Sequence, residues 1–321
     1  MLTLVRVVAA LTPVAFSAVI HAQTYPNKVI RIVVPYPPGG GADITARPIA
    51  QMLSERWGQP VVIENRGGAS GMIGADIVAK APPDGYTIMV SASAEVALNV
   101  ALFPKMPYDP VKDFAPITLA TVTPMALVVH PSVPVTSLSE YIAMAKAKPG
   151  SMTFGSVGAG SVHFAGEWLK MLTSVDIVHV PYKGSGPFII DLLGGHSPSG
   201  FATLLPAMQH VKAGKLRALA VTTPQRALLL PDVPTLAETL PGFDISQWNA
   251  VWAPAGTPKD VLDKLSTEIR RIVQSPDYKA RMLEQGSEAI GNSPSELAAF
   301  QKAEIDKYRK IAQQANIKAD Q

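Results

Sequence analysis

The 321-residue chain has no cysteine. That excludes a disulfide framework, thiolate chemistry and a lipid-modified cysteine anchor. A chain of this length can bury a large enough core to manage without disulfides in an oxidising compartment. Charge is sparse at 17% of residues, and no Lys/Arg run occurs, so nucleic acid is not an expected partner. Long hydrophobic runs are absent as well: Val7 to Ile20 spans about 14 residues, against roughly 20 needed to cross a bilayer. No H-E-x-x-H, G-x-S-x-G, P-loop G-x-x-x-x-G-K or G-x-G-x-x-G signature appears, nor a His/carboxylate cluster at metal spacing. No cofactor and no metal are expected.

Arg6, the short apolar run and the small-residue site Ile20-His21-Ala22 read as a secretory signal peptide. Cleavage after Ala22 would leave 299 residues and lower the formal charge from +3 to +2.

What the chain does contain is glycine where strands run into helices. Residues 29–45 place a buried-type strand before Gly39-Gly40-Gly41 and a helix. Without Cβ atoms the turn can approach a ligand closely, and the helix N-terminus offers backbone N–H groups and a positive dipole end to an anion. A plain structural turn is the competing reading. Met152 to His163 repeats the pattern, with Ser156 and Ser161 as hydroxyl donors, though Ser161 also suits a helix cap and His163 a structural hydrogen bond. Ser91-Ala92-Ser93-Ala94 makes a third such turn. Asp43 is a candidate general base or a partner of its own helix, and Glu64-Asn65-Arg66 is expected to order the turn at Gly68.

Strands are expected at 29–34, 60–64, 86–90, 125–130, 152–155, 177–180, 216–221 and 248–253. Helices are expected at 43–57, 71–80, 94–101, 137–147, 161–173, 185–194, 206–213, 234–240, 258–274, 276–285 and 294–314. This alternation predicts an α/β chain with a mostly parallel sheet. In the last helix Glu304, Asp306, Lys307 and Lys310 read as a solvated face. Chain crossings near Thr121–Pro124 and Pro241–Trp248 divide the sequence into lobe 1 (23–122 and 244–321) and lobe 2 (123–243), with a hinge and cleft between them.

Five segments occur together in one family in this order: Pro35-Tyr36-Pro37-Pro38-Gly39-Gly40-Gly41-Ala42-Asp43, Val62-Ile63-Glu64-Asn65-Arg66-Gly67-Gly68-Ala69, Pro83-Asp84-Gly85-Tyr86-Thr87, His179-Val180-Pro181-Tyr182-Lys183-Gly184 and Pro254-Ala255-Gly256-Thr257-Pro258. Over residues 25–315 the chain resembles the Bug family of periplasmic solute-binding receptors, the extracytoplasmic component of tripartite tricarboxylate transporters. The resemblance implies a two-lobed type II periplasmic-binding-protein fold, a Venus flytrap whose lobes each hold a mixed, mostly parallel sheet flanked by helices. It implies a periplasmic monomer that binds a small carboxylate and hands it to membrane subunits of the transporter, or signals to a sensor kinase. The loops matching 36–43 and 156–161 would cradle the carboxylate through backbone N–H groups and water.

The expected ligand-binding residues are Tyr36, Gly40, Gly41, Ala42 and Asp43, then Ser91 and Ser93, then Ser156, Gly158, Gly160, Ser161 and His163, with Thr203 and Trp248. Phe201 and Tyr182 are expected in the core or hinge. The family usually reads Phe-Asp where this chain has Phe201-Ala202, which implies a ligand without a cationic amine. Pro198 and Gly200 are unusual for a core strand and put its pairing in question. A secreted enzyme using Asp43 and His163 is the rival of a different class.

Overall fold

The computed structural model describes residues 25–157, 160–182 and 185–318; the expected signal segment and Gly158 lie outside them. Ile30, Ile32, Val33 and Val34 are fully buried, the signature of a strand covered on both faces, and they form β1 (Ile30–Val34). Helices α1 (Gly41–Trp57) and α2 (Met72–Ala79) carry the chain from β1 to β2 (Val61–Asn65) and on to β3 (Thr87–Ala92), both parallel to β1. A π-helical turn (Ala94–Leu98) and α3 (Asn99–Leu102) lead to β4 (Phe114–Thr123).

A second group of elements follows: β5 (Met125–Val129), α4 (Leu138–Ala147), β6 (Met152–Val157), α5 (Ser161–Thr173), β7 (Ile177–Tyr182), α6 (Ser185–Leu193), β8 (Ser199–Thr203), α7 (Leu204–Lys212), β9 (Arg217–Val221) and α8 (Leu236–Thr239). The chain then returns along β10 (Gln247–Pro254) and closes with α9 (Lys259–Val273), α10 (Pro276–Glu284), β11 (Glu288–Ala289) and α11 (Pro294–Ala315). The first sheet runs β11-β4-β10-β3-β1-β2; β8-β5-β9 and β6-β7 form the second group. Among the described residues no helix is long and apolar enough to cross a membrane.

The first sheet is mixed and the second group is an antiparallel sheet beside a parallel pair, so the expectation of mostly parallel sheets does not hold. Among the described residues three of the eight strand pairings are parallel: β1 with β2, β1 with β3, and β6 with β7. The connection explains it. The chain leaves the first sheet along β4 and re-enters along β10, so these neighbours run in opposite directions, and β11 pairs antiparallel with β4. Strand β4 was absent from the sequence reading although Phe114–Thr123 is rich in β-branched residues. Its Pro116 sits opposite Trp252 beside a register shift in the ladder, where a missing N–H is tolerated.

The question raised by Pro198 and Gly200 resolves in favour of a strand. Pro198 precedes β8, and β8 pairs in register with β5 from Ser199 to Thr203. Gly200 is required: a Cβ there would lie 2.4 Å from Phe188 Cζ and 3.0 Å from Gly155 N. Helix α11 departs from the sequence reading too. Glu304 is buried rather than solvated, accepting a 2.9 Å hydrogen bond from Trp248 Nε1 and pairing with Lys307. Burial pushes its carboxyl up, opposed by Lys307 and Trp248. Helix α11 also packs on α5 of the second group, with the Phe164 and Tyr308 rings edge to face at 5.1 Å.

Candidate functional site

A cleft of about 780 Å3 opens between the two sheet groups. One wall is the loop from Tyr36 to Ala42. Gly39 turns the chain at φ +84°, a conformation only glycine adopts without strain, and Gly40 becomes the N-cap of α1. No side chain caps this 17-residue helix, and Gly41 and Ala42 of its first turn, whose N–H groups have no partner within the helix, line the cleft. The loop is held from behind by Asp43. Its carboxylate accepts from Gly39 N (2.9 Å), Arg47 Nε (2.7 Å) and Nη2 (3.0 Å), and Asn65 Nδ2 (3.0 Å). Burial raises the Asp43 pKa, but these donors outweigh it and hold the group below the usual carboxylate range.

Across the cleft lies the second glycine turn. Gly160 is the N-cap of the 13-residue α5, again with no side-chain cap, and Gly160 and Ser161 line the same space as α1. Two helix N-termini therefore point into one cleft. Its floor is made by the crossing strands, through Thr123, Gln247, Trp248 and Asn249. None of the described lining residues carries a formal charge; the polar groups are backbone N–H, the hydroxyls of Ser70, Ser93, Thr123 and Ser161, and the amides of Asn99, Gln247 and Asn249. Such a lining favours an anion through dipoles and hydrogen bonds, without a cationic side chain.

Beneath the first wall sits a group that motif reading passed over. Glu95, in the π-helical turn, is fully buried, and the donors beside its carboxyl, the Tyr36 phenol and the backbone of Ala92, are loosely placed. Its neighbours are the Tyr36 phenol and Gly71, whose Cβ, if present, would overlap the carboxyl at 1.9 Å. Burial pushes the Glu95 pKa up to about 8. Burial also raises that of Tyr36, and the adjacent Glu95 carboxyl adds to it.

Most of the expected residues meet at the cleft, and several do not. Tyr36, Gly40, Gly41, Ala42, Ser93, Gly160, Ser161 and Trp248 line it. Ser156 and Thr203 line a smaller adjoining cavity. Asp43 is engaged behind the loop. Ser91 is wholly buried and accepts a 2.9 Å bond from Trp252 Nε1, because the pleat of β3 turns it into the core. His163 belongs to a packed cluster: its ring stacks on His179 at 3.9 Å, and His179 Nε2 lies 2.6 Å from Ser156 Oγ. Burial, then His179 and Lys170, lower the His163 pKa to about 4. Ser161 is the first helical residue rather than the cap. Gly158 lies outside the described residues. The missed residues Gln247 and Asn249 carried a signal, two amides at i and i+2 in an otherwise apolar strand.

The tripartite tricarboxylate transporter family receptor (TctC) model matches residues 45–317. The chain belongs to this family. BugT of Bordetella pertussis is 37% identical over 305 residues, covering 94% of each chain. The solved structure of Rpa4515 of R. palustris with adipate is 37% identical with a TM-score of 0.76, covering 92% of this chain and 99% of that one. MatC of Rhodopseudomonas palustris with bound malate is 32% identical with a TM-score of 0.71, covering 89% and 99%. The receptor thus has the two-lobed fold of this family's periplasmic binding proteins, and it is a solute-binding protein rather than an enzyme. That removes the Asp43/His163 rival.

Proposed function

We propose that this receptor binds a small carboxylated solute without a cationic amine, a di- or tricarboxylate or an aromatic carboxylate, with the carboxylate at the N-terminus of α1. The observation that carries the reading is the convergence of two uncapped helix N-termini on a cleft with no charged side chain among its described lining residues. An ammonium group would find no acid there to replace its hydration. The adipate and malate held by two relatives support the ligand class. Closure of lobe 2 (123–243) onto lobe 1 (23–122 and 244–321) traps the ligand, and the closed monomer docks on the membrane subunits of the transporter. Residues 1–22 direct it to the periplasm; mass spectrometry of the secreted form is expected to find Gln23 first.

A thermal-shift panel of the 23–321 protein against mono-, di-, tri- and aromatic carboxylates tests the ligand class. At a hundredfold excess over Kd a cleft ligand stabilises by about 2.7 kcal/mol. For a chain of this size that raises Tm by roughly 5 °C. Preference for aspartate or glutamate over the matching deaminated acids would overturn the reading.

A further inference from the structure

The smaller cavity, about 80 Å3, shares Gly160, Ser161 and Gln247 with the main cleft and extends from it into lobe 2. Val162, Phe188, Ile189, Phe201, Ala202 and Pro206 make the apolar part of its wall, and Ser156, Thr203 and the shared Ser161 and Gln247 the polar part. The volume matches two to three waters at about 30 Å3 each, or the same volume of short alkyl chain or ring edge.

The cavity is held open by fixed parts. The Phe188 ring lies against two glycines on neighbouring strands; a Cβ on Gly155 would fall 2.3 Å from it and one on Gly200 2.4 Å. Tyr182 braces the same ring at 5.3 Å and is itself tied by a 2.8 Å bond from its hydroxyl to Asp191. Phe201 is fully buried in β8. The hydroxyl of Ser156 is engaged with His179 at 2.6 Å.

A second carboxylate is poorly served here. No described lining residue is ionisable. Thr203 and Pro206 bring the start of α7 to the cavity, yet that helix end has little to offer an anion. Leu204 N already donates to Pro124 O at 3.1 Å, and Pro206 has no N–H. The N-terminus of α5 offers donors where the cavity joins the cleft at Gly160 and Ser161, but Val162, Phe188, Ile189, Phe201, Ala202 and Pro206, which line only the smaller cavity, present no side-chain donor, and a carboxylate pressed against them would lose its hydration without return.

We propose that this cavity is a tail subsite: it receives the uncharged, apolar end of a monocarboxylate whose carboxylate rests at the N-terminus of α1, and Ala202 sets its depth. The subsite rests on the carboxylate reading above, keeps its aromatic-carboxylate arm, extends it to short aliphatic monocarboxylates and sets aside its di- and tricarboxylate arm. Transfer of apolar surface out of water gives about 0.8 kcal/mol per methylene, a factor of about four in affinity.

Calorimetric titration of the 23–321 protein with acetate, propionate, butyrate, benzoate and succinate tests this. Butyrate is expected to bind about sixteenfold more tightly than acetate, and more tightly than succinate, which has the same number of carbons and a second carboxylate. Ala202→Leu fills the space, and the butyrate-to-acetate ratio is expected to fall to about two or less. Thermal denaturation without ligand checks that the variant is folded, and the wild-type series decides the matter if it is not. Binding of all five acids with succinate tightest, or with no rise from acetate to butyrate, overturns the tail subsite and leaves the carboxylate receptor standing. Binding of none overturns both.

Discussion

Substituting the buried carboxyl beneath the cleft wall isolates its energetic effect. In the folded chain Glu95 loses its proton only near pH 8, against an ordinary value of 4.5, because burial removes the water that would solvate the anion. Below pH 4.5 the group is protonated in both states and costs nothing. Between 4.5 and about 8 the unfolded chain gives up the proton while the folded chain keeps it, so unfolding is favoured progressively as pH rises. The loss levels off once the folded state also ionises. Across that window the difference corresponds to roughly 5 kcal/mol of stability. Glu95→Gln keeps the shape and stays neutral at every pH. Wild type and variant are therefore expected to melt within a few degrees of each other at pH 4.5, and the variant to gain steadily until it leads by roughly 10 °C at pH 8. Scanning calorimetry at half-unit steps of pH reads this directly. Melting curves that run parallel from pH 4.5 to 8 would refute the assignment of Glu95 as a buried neutral acid.

Three further outcomes follow from the geometry. Gly200→Ala forces a Cβ into Phe188 Cζ at 2.4 Å and is expected to cost about 1–3 kcal/mol in urea denaturation, unless Phe188 is shortened to Leu in the same chain. Asp43→Asn removes the charge that Arg47 pairs with while Gly39 N keeps an acceptor; a loss of about 1–3 kcal/mol is expected at pH 7. That difference narrows as pH falls below the ordinary carboxylate range and the wild-type Asp43 protonates. His163 is neutral in the fold down to about pH 4, so its contribution is complete above pH 6.5 and is lost as pH falls toward 4. His163→Gln is expected to flatten that acid limb by about 3 kcal/mol, read from melting temperatures between pH 4 and 7.

The parts of the fold that were legible in the sequence are those with a local cause. Buried runs such as Ile30–Val34 and the glycine triplet at 39–41 announce a strand and a turn before any partner is known. Strand β4 is hard to read locally because Pro116 removes a ladder donor, and only the register shift against β10 shows why it is tolerated. The cleft was anticipated through its backbone donors, since glycine and small hydroxyl residues mark them. The roles of Ser91 and His163 were not separable in advance. A serine at a strand end faces a ligand or a tryptophan depending on the pleat, and whether a histidine stacks on another depends on a residue sixteen positions away. Glu95 and Glu304 carry no mark of burial in sequence, because what encloses each of them is distant chain.

The passage from β4 to β5 takes one residue, Pro124. On one side Thr123 Oγ1 lies 2.7 Å from Ser287 Oγ; on the other Met125 N donates to Thr222 Oγ1 at 3.1 Å, and Pro124 O itself accepts from Leu204. A joint clamped in this way, with the proline ring fixing one torsion, acts as a torsion spring rather than a leash. Two domains on a flexible leash must search for each other, and the entropy lost on meeting is subtracted from the affinity. Here the two halves of the cleft are already held face to face, so that loss is small. The free energy of the ligand's own contacts is then left almost wholly to distinguish one solute from another.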